Sequence, residues 1–308
     1  MLVNREVILV ETEGTYNTDP SPTGAANAIL VEEPSWSHEG LRMVDRPAVR
    51  ANIGKLQQIY AGTLKTISFN CELKGSGSAG TPPEIDPLLR ACGFGVTNTP
   101  STSDVYAPVS TGHESATIYY YQDGTLHKLT GARGNATFNV EVGNKGMVTF
   151  TMTGHDSAVT DASLVTPTYD SNVPPLVLGA AFSIDGFAGV ISALTFDMSN
   201  TIAMPADMNA ADGYGEIQLT QRDVNGSFDP EHELVATEDF IGNFKAGASM
   251  ALATGTIGST AGNRYSISMP AIYFKDVSPG EREGVRTLEI PFGAVESSGD
   301  DEVSITFN

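Results

Sequence analysis

The sequence predicts a mainly β protein with two tandem β-sandwich or barrel units, each flanked by one short α-helix. Segments with alternating apolar residues recur along the 308-residue chain, while helical periodicity is confined to two short stretches. Turn residues are frequent, with 32 glycines and 17 prolines. Hydrophobic residues make up 40% of the chain, so we expect a packed core rather than disorder.

The first unit is predicted to contain several strands and one helix. A strand is predicted at VILVE, followed by a loose arm, a strand from Leu41 and an irregular connection to about Gly62. Residues 63–73 then alternate, with Ile67 and Phe69 on the face that points to a core. Further strands are predicted at ATIYYYQ, HKLTG, NATFNVEV and MVTFTMTG, with hairpin turns at Asp-Gly and Asn-Lys-Gly.

A helix is predicted after the glycine-serine loop. Thr81 can cap it, Pro82 suits its first turn, Glu84 completes a capping box, and Gly93 ends it. One face carries the apolar stripe Ile85, Leu88, Leu89 and Cys92. We interpret the two cysteines, Cys71 and Cys92, as buried free thiols, with a disulfide as the alternative.

The second half of the chain repeats this order of elements. HELVATEDFIGNFKAG predicts the second helix, with apolar Leu234, Phe240, Ile241 and Phe244. At an offset of 138 residues, Gly146 aligns with Gly284 and Thr149 with Thr287. We therefore predict a first domain at 1–160, a linker at 161–178 and a second domain at 179–308.

The charge of the chain is strongly negative. The formal net charge is −20, with 37 Asp and Glu against 17 Lys and Arg. A basic surface that grips DNA is therefore not expected, because such surfaces neutralise phosphates with Lys and Arg. The N-terminal segment lacks the basic region and long apolar run of a signal peptide, and no stretch approaches the length of a membrane span. We expect a protein made in a cytoplasm.

Catalytic and metal-binding motifs are not evident. The loop at 75–80 lacks the Gly-Lys-Ser/Thr ending of a phosphate-binding loop, and the five histidines have no zinc-site spacing. The best metal candidate, DVNGSFDPE at 223–231, has Phe228 where a calcium loop needs glycine and Leu234 where it needs glutamate. We interpret it as an Asx-rich turn, with a calcium loop as the alternative. We predict no enzymatic activity and no cofactor.

Four long segments resemble a known family. They are LKGSGSAGTPPEIDPLLRACGFG, GHESATIYYYQDGTLHKLTGARGNATFNVEVGNKG, ADGYGEIQLTQRDVNGSFDPEHELVATEDF and AGNRYSISMPAIYFKDVSPGEREGVRTLEIPF. They are similar to the tail tube, or major tail, proteins of long-tailed, non-contractile bacteriophages, in the branch with two tube domains per chain. The resemblance covers most of residues 40–293.

The resemblance implies a structural virion protein. Tube domains are β-sandwiches with one flanking helix, and they form rings whose inner strands join into a barrel. The rings stack into a conduit through which DNA is ejected, and a negatively charged lumen would let the duplex slide. Two domains per chain imply a trimeric ring with pseudo-sixfold symmetry, with a hexameric ring as the fallback. The other implied partners are the tape measure, tail terminator and distal tail proteins, and double-stranded DNA passes without specific binding.

The resemblance also assigns roles to individual residues. The strands beside each irregular connection should line the bore, which makes Asn70, Glu72, Asp197 and Glu216 candidates for the lumen, unless they lie on the outer surface. The connections at 46–62 and 204–213 and the arm at 11–30 are candidates for contact between rings. The named inter-ring candidates are Arg46, Arg50, Lys55, Asp207 and Asp212.

The family implies a location in the virion tail, with assembly in the bacterial host cytoplasm and no membrane. A different class stays open. A two-domain β-sandwich protein that decorates a capsid or acts as an adhesin would share the strands, turns and acidity.

Overall fold

The computed structural model describes residues 2–308; Met1, the first residue of the predicted first domain, lies outside them. The described chain is mainly β, as predicted, with two short helices, α1 (Asp86–Ala91) and α2 (Phe240–Ala246). Neither of these helices has the length and apolar run that crossing a bilayer requires.

The strands, in chain order, are β1 (Glu6–Thr12), β2 (Ala28–Ile29), β3 (Val31–Glu39), β4 (Met43–Val44), β5 (Ile59–Tyr60), β6 (Leu64–Glu72), β7 (Phe94–Thr99), β8 (Ser103–Pro108), β9 (Ala116–Gln122), β10 (Thr125–Glu141), β11 (Met147–Asp156), β12 (Thr160–Asp161), β13 (Ser183–Ile184), β14 (Ala193–Asp197), β15 (Thr201–Ala203), β16 (Gln218–Gln221), β17 (Asn225–Phe228), β18 (Met250–Ala253), β19 (Tyr265–Phe274), β20 (Ser278–Arg282), β21 (Val285–Ala294) and β22 (Ser304–Phe307).

One large antiparallel sheet, which we call the central sheet, runs through both halves of the chain. Its order is β3–β6–β11–β10–β14–β17–β21–β19, and the two halves meet where β10 pairs with β14. The strand pairings among residues 2–308 branch but never return to their starting strand. The described chain therefore forms open sheets and no closed barrel.

The two faces of the central sheet differ sharply because side chains alternate along each strand. A ladder of directly opposed residues crosses all eight strands on the buried face, and we call it the apolar ladder. Its members are Val31, Cys71, Val148, Phe138, Phe196, Gly226, Phe292 and Phe274. Glycine is needed at 226, because a Cβ there would lie 2.4 Å from the Phe292 ring.

The two halves have the same topology. In the first, six strands pair in the order β1–β9–β10–β11–β6–β3; in the second, the order is β13–β18–β19–β21–β17–β14. Strands that take the same position in the two pairing orders also have the same rank in the chain order of their halves. Each helix follows the strand that is third in chain order, which is β6 in the first half and β17 in the second. A separate two-stranded excursion interrupts each half at the same point, β4–β5 in one and β15–β16 in the other.

The halves nevertheless share one core. A single cluster of buried residues extends from Ile8 to Phe307, and Phe138 stacks on Phe196 across the junction with ring centroids 4.5 Å apart. The last strand, β22, pairs with β19 of its own half and with β8 of the other. The free thiols of Cys71 and Cys92 are buried in this core, as predicted.

The first helix is shorter than predicted. The stripe Ile85, Leu88, Leu89 and Cys92 is buried as expected. The capping box is wrong, because α1 begins after Ile85 and no side chain caps it. Glu84 is instead drawn towards the buried ammonium of Lys74, with Nζ and Oε1 3.2 Å apart. Gly93 follows the helix with a positive φ of 86°, as its C-terminal position predicts.

Other differences have equally local causes. The second helix is shorter than the predicted segment, because it begins only after Asp239, whose side chain caps it. Leu234 therefore lies outside the helix and is 76% exposed, and Ile241 within it is 41% exposed. The strand predicted from Leu41 is reduced to the two residues of β4, and the long strand before it, β3, was not predicted. β3 is mostly exposed, so its sequence VEEPSWSHE carries no clear apolar alternation.

Candidate assembly surfaces

The exposed face of the central sheet carries a second ladder of opposed residues, which we call the polar ladder. Starting from β3, it consists of Glu32, Asn70, Thr149, Thr137, Asp197, Asn225, Gly293 and Tyr273. Seven of the eight carry a polar side-chain group and none is aliphatic. The ladder brings two predicted lumen candidates, Asn70 and Asp197, onto one surface, although 127 positions separate them in the chain.

Asp197 is held at the junction of the two halves. Asn135 Nδ2 donates to it over 2.8 Å and Thr137 Oγ1 over 2.6 Å, both from β10. Burial raises the pKa of Asp197, but hydrogen bonds from Thr137, Asn135 and Ser199 outweigh this effect and leave the pKa below its ordinary value. This carboxylate therefore links β10 to β14 as well as facing the exposed side.

Glu72 lies two residues along β6 from Asn70 and faces the same side. Lys145, in the β10–β11 turn, contacts both Glu72, at 2.9 Å, and Glu32 of β3. Hydrogen bonds to these two carboxylates raise the pKa of Lys145. The lysine therefore neutralises part of the acidity at this end of the face.

The remaining lumen candidate, Glu216, does not lie on the central sheet. It precedes β16, and its Oε1 accepts from Arg133 Nη1 over 2.8 Å. Arg133 also donates to the carbonyl oxygens of His113, Glu114 and Ile217. Glu216 thus helps to fasten the second excursion to the first half of the chain.

Both excursions leave the same end of the central sheet, which we call the Leu64 end after the first residue of β6. Arg42 donates to the Gly213 carbonyl over 2.9 Å and lies over the Tyr214 ring, and Tyr214 donates to the Gly40 carbonyl. The predicted inter-ring segments 46–62 and 204–213 therefore belong to loops that are neighbours within one chain.

The predicted inter-ring residues differ in whether contacts within the chain hold their side chains in place. Asp212 Oδ2 lies 2.7 Å from His155 Nδ1, and Asp207 accepts from the Asn209 amide in an Asx turn. Arg46, Arg50 and Lys55 are exposed and, within residues 2–308, have no ion-pair partner. They occupy the tip of the β4–β5 excursion, where the chain makes almost no contact with the rest of the molecule.

The segment considered as a calcium loop has another role here. Asn225 and Ser227 belong to β17, in the central sheet. Asp229 accepts from the amides of Ser192 and Ala193 and pairs with Arg282 at 2.7 Å. Burial raises the pKa of Asp229, but the Ser192 hydroxyl, the two amides and Arg282 outweigh this effect and hold the pKa below its ordinary value. Its carboxylate is thus committed to fixing the start of β14.

Sequence reasoning found two charged residues of the exposed sheet face, Glu72 and Asp197, but missed most of its members. They are Thr66, Ser68, Thr149 and Thr151 in the first half, Asn135, Thr137 and Asn139 on β10, and Thr195, Asn225 and Ser227 in the second half. The carboxylates of this face include Glu32, Glu33, Glu72, Glu141, Asp197 and Glu289, against the lysines Lys145 and Lys275. The alternation of Ser, Thr and Asn with apolar residues was the available signal.

These features define a mainly β protein with a repeated topology, whose principal surfaces are a polar sheet face and a pair of adjoining loops. The family model described as phage tail tube protein matches residues 4–308, nearly the whole chain. The chain belongs to the phage tail tube protein family. A comparison with curated proteins gives no match.

Family membership identifies a structural component of the phage tail and implies self-assembly into a tube. It also favours a non-enzymatic role. The predicted resemblance is therefore confirmed at the level of the family.

Proposed function

We propose that this protein forms rings that stack into the tail tube of a long-tailed, non-contractile phage and that the tube conducts DNA during ejection. The repeated topology supports the proposal most directly, since each half offers an equivalent set of inner strands, β3–β6–β11–β10 and β14–β17–β21–β19. The tube domains would be 1–160 and 179–308, joined by the linker at 161–178.

The size of the central sheet favours three chains in a ring. Three copies of its eight strands give 24 strands. A closed barrel of about 24 strands, spaced about 4.8 Å apart and tilted by about 40°, has a backbone diameter of about 48 Å. Side chains reaching about 5 Å inward leave a bore of about 38 Å, which is wider than a DNA duplex. Six copies would double the barrel diameter, so a ring of three chains gives a bore closer to the width of a DNA duplex.

The polar ladder would line the bore. Its hydroxyl and amide groups, with a small excess of carboxylates, give DNA no basic surface on which to release counterions. Only charges within about 8 Å of the duplex act on it at physiological salt, so the composition of this face matters more than the net charge of the chain. Asn70, Glu72 and Asp197 remain lumen candidates on this basis.

Electron microscopy of the purified full chain tests the proposal. We expect annular particles with three copies per ring, or hollow tubes, and chemical crosslinking followed by mass measurement counts the copies. Compact monomers at every concentration tested would contradict the proposal. The tape measure, tail terminator and distal tail proteins would be the other partners of the tube, as the family implies, with assembly in the host cytoplasm.

The conduit role needs a separate test. In a phage carrying Thr151→Lys with Ser227→Lys, both on the polar face, tubes should assemble normally but DNA ejection should slow, because lysines add affinity for phosphates. Thr160→Lys, on the exposed strand β12, is a single-lysine control away from the polar face and should leave ejection unchanged. Equal ejection rates for all three phages would contradict a bore lined by this face.

A further inference from the structure

The β4–β5 excursion, residues 43–60, is the most exposed segment of substantial length in the described chain, and we call it the basic hairpin. Val49 and Ile53 at its tip are fully exposed, at 105% and 107%. Arg46, Arg50 and Lys55 surround them, with Asp45 as the one acidic residue. The chain has a net charge of −20, yet this tip is positively charged, carries exposed apolar side chains and makes few contacts with the rest of the chain. Such a surface indicates a binding site for a partner.

The opposite end of the central sheet carries a segment of complementary character. We call residues 231–239 the acidic loop; it contains Glu231, Glu233, Glu238 and Asp239 and neither lysine nor arginine. Leu234 and Val235 at its centre are 76% and 69% exposed. Arg282 contacts Glu231 at 3.3 Å from outside the loop, which leaves the other acids in excess.

Strand register places the two segments at opposite ends of one sheet. β6 begins at Leu64, four residues after the basic hairpin ends at Tyr60, and runs to Glu72, opposite Met147 of β11. At that second end Glu141 lies opposite Ala193, and the acidic loop continues β17 beyond its last residue, Phe228, opposite Leu194. The amide of His232 donates to the Arg286 carbonyl, so the loop extends past the sheet alongside β21.

We propose that the basic hairpin of one copy docks on the acidic loop of a second copy in the next ring. This inference rests on the proposed tube, and it adds the acceptor that the sequence did not identify. The segments at 46–62 and 204–213 lie at the same end and cannot be each other's partners in a head-to-tail stack. Apolar tips would meet in the centre of the contact, Val49 and Ile53 against Leu234 and Val235, with opposite charges around them.

Charge reversal with reciprocal rescue tests the docking. Arg50→Glu with Lys55→Glu should give folded rings whose polymerised fraction falls at least about tenfold, since like charges facing each other cost more than the ~1.4 kcal/mol that this change represents. Glu233→Lys with Glu238→Lys should have the same effect. Arg50→Lys with Lys55→Arg keeps the charge and should polymerise normally.

Mixing the two reversed proteins is the decisive measurement. Each hairpin in an alternating stack then faces a loop of opposite charge, so tubes should reappear in the mixture although neither protein forms them alone. Sedimentation and electron microscopy measure the polymer, and melting temperatures show that the variants are folded. If the wild type forms tubes and both reversed variants polymerise as well as the wild type, the docking is refuted while the proposed tube stands. The same holds if the mixture of the two reversed proteins forms no tubes. If the wild type forms neither rings nor tubes, the proposed function fails first.

Discussion

Thr137 on β10 lies directly opposite Asp197 on β14, and its hydroxyl donates a 2.6 Å hydrogen bond to the Asp197 carboxylate. This pair stands on the exposed face of the junction that turns two repeated units into one sheet. On the buried face of the same junction, the neighbouring residues Phe138 and Phe196 stack with an interplanar angle of 10°. The junction thus combines the hydrogen-bonded pair Thr137–Asp197, which we call the polar clasp, with the aromatic contact Phe138–Phe196. Each can be tested separately.

The polar clasp predicts a dependence of stability on pH. The pKa of Asp197 in the folded chain is below its ordinary value, so its contribution is complete above the unfolded pKa of about 3.9 and is lost as the pH falls through the folded value. Asp197→Asn should lower the free energy of unfolding by about 1–2 kcal/mol at pH 6 and flatten its fall towards pH 3. Urea unfolding across this range gives the profile.

Asp161→Asn is the control for the clasp. Asp161 is exposed on β12 and its side chain accepts no hydrogen bond within residues 2–308. Its substitution should leave the profile parallel to that of the wild type. A parallel profile for Asp197→Asn as well would show that the carboxylate contributes nothing to holding the junction.

The aromatic contact predicts a large loss of stability on truncation. Phe196 is 1% exposed, so Phe196→Ala should lower the free energy of unfolding by about 3–5 kcal/mol through lost burial and a residual cavity. Tyr60→Ala, at a side chain 59% exposed, should change it by less than about 0.5 kcal/mol. Chemical denaturation of both variants gives their free energies of unfolding. Equal losses for Phe196→Ala and Tyr60→Ala would contradict a tightly packed junction.

A buried ion pair beside α1 predicts a different response. The Lys74 side chain is 1% exposed, its Nζ lies 3.2 Å from Glu84 Oε1, and it donates to the Asp170 carbonyl. Burial raises the pKa of Glu84, although Lys74 opposes this. Lys74→Met should therefore lower the free energy of unfolding by about 3–5 kcal/mol at pH 8, because a buried carboxylate loses its partner.

The pH dependence separates this cause from simple loss of packing. With Lys74 gone, the pKa of Glu84 rises further above its unfolded value, so stability is present at low pH and lost as the pH rises through that raised pKa. Lys74→Met should consequently be milder at pH 5 than at pH 8. Adding Glu84→Gln should recover much of the loss at pH 8, and a double variant as unstable as the single one would rule out the unpaired charge.

The sequence by itself determined the local features of this protein. Alternation at Ile67, Phe69 and Cys71 fixed a strand and its buried face, and the stripe with Leu88 and Leu89 fixed the face of the first helix. Turn residues located the hairpins, and the matching order of elements revealed the repeat. These properties depend on neighbouring residues, whose spacing decides which side chains can share one apolar surface.

Tertiary structure alone decided which distant surfaces meet. Local periodicity contains no information on pairing across long separations, so the junction of β10 with β14 could not be read from Phe138 or Phe196. The same holds for the buried salt bridge that moved Glu84 away from a helix cap, and for Glu216, which binds Arg133 instead of lining the sheet. The strand β3 escaped notice because its side chains are mostly exposed, and among the described residues 2–308 it pairs only with β6.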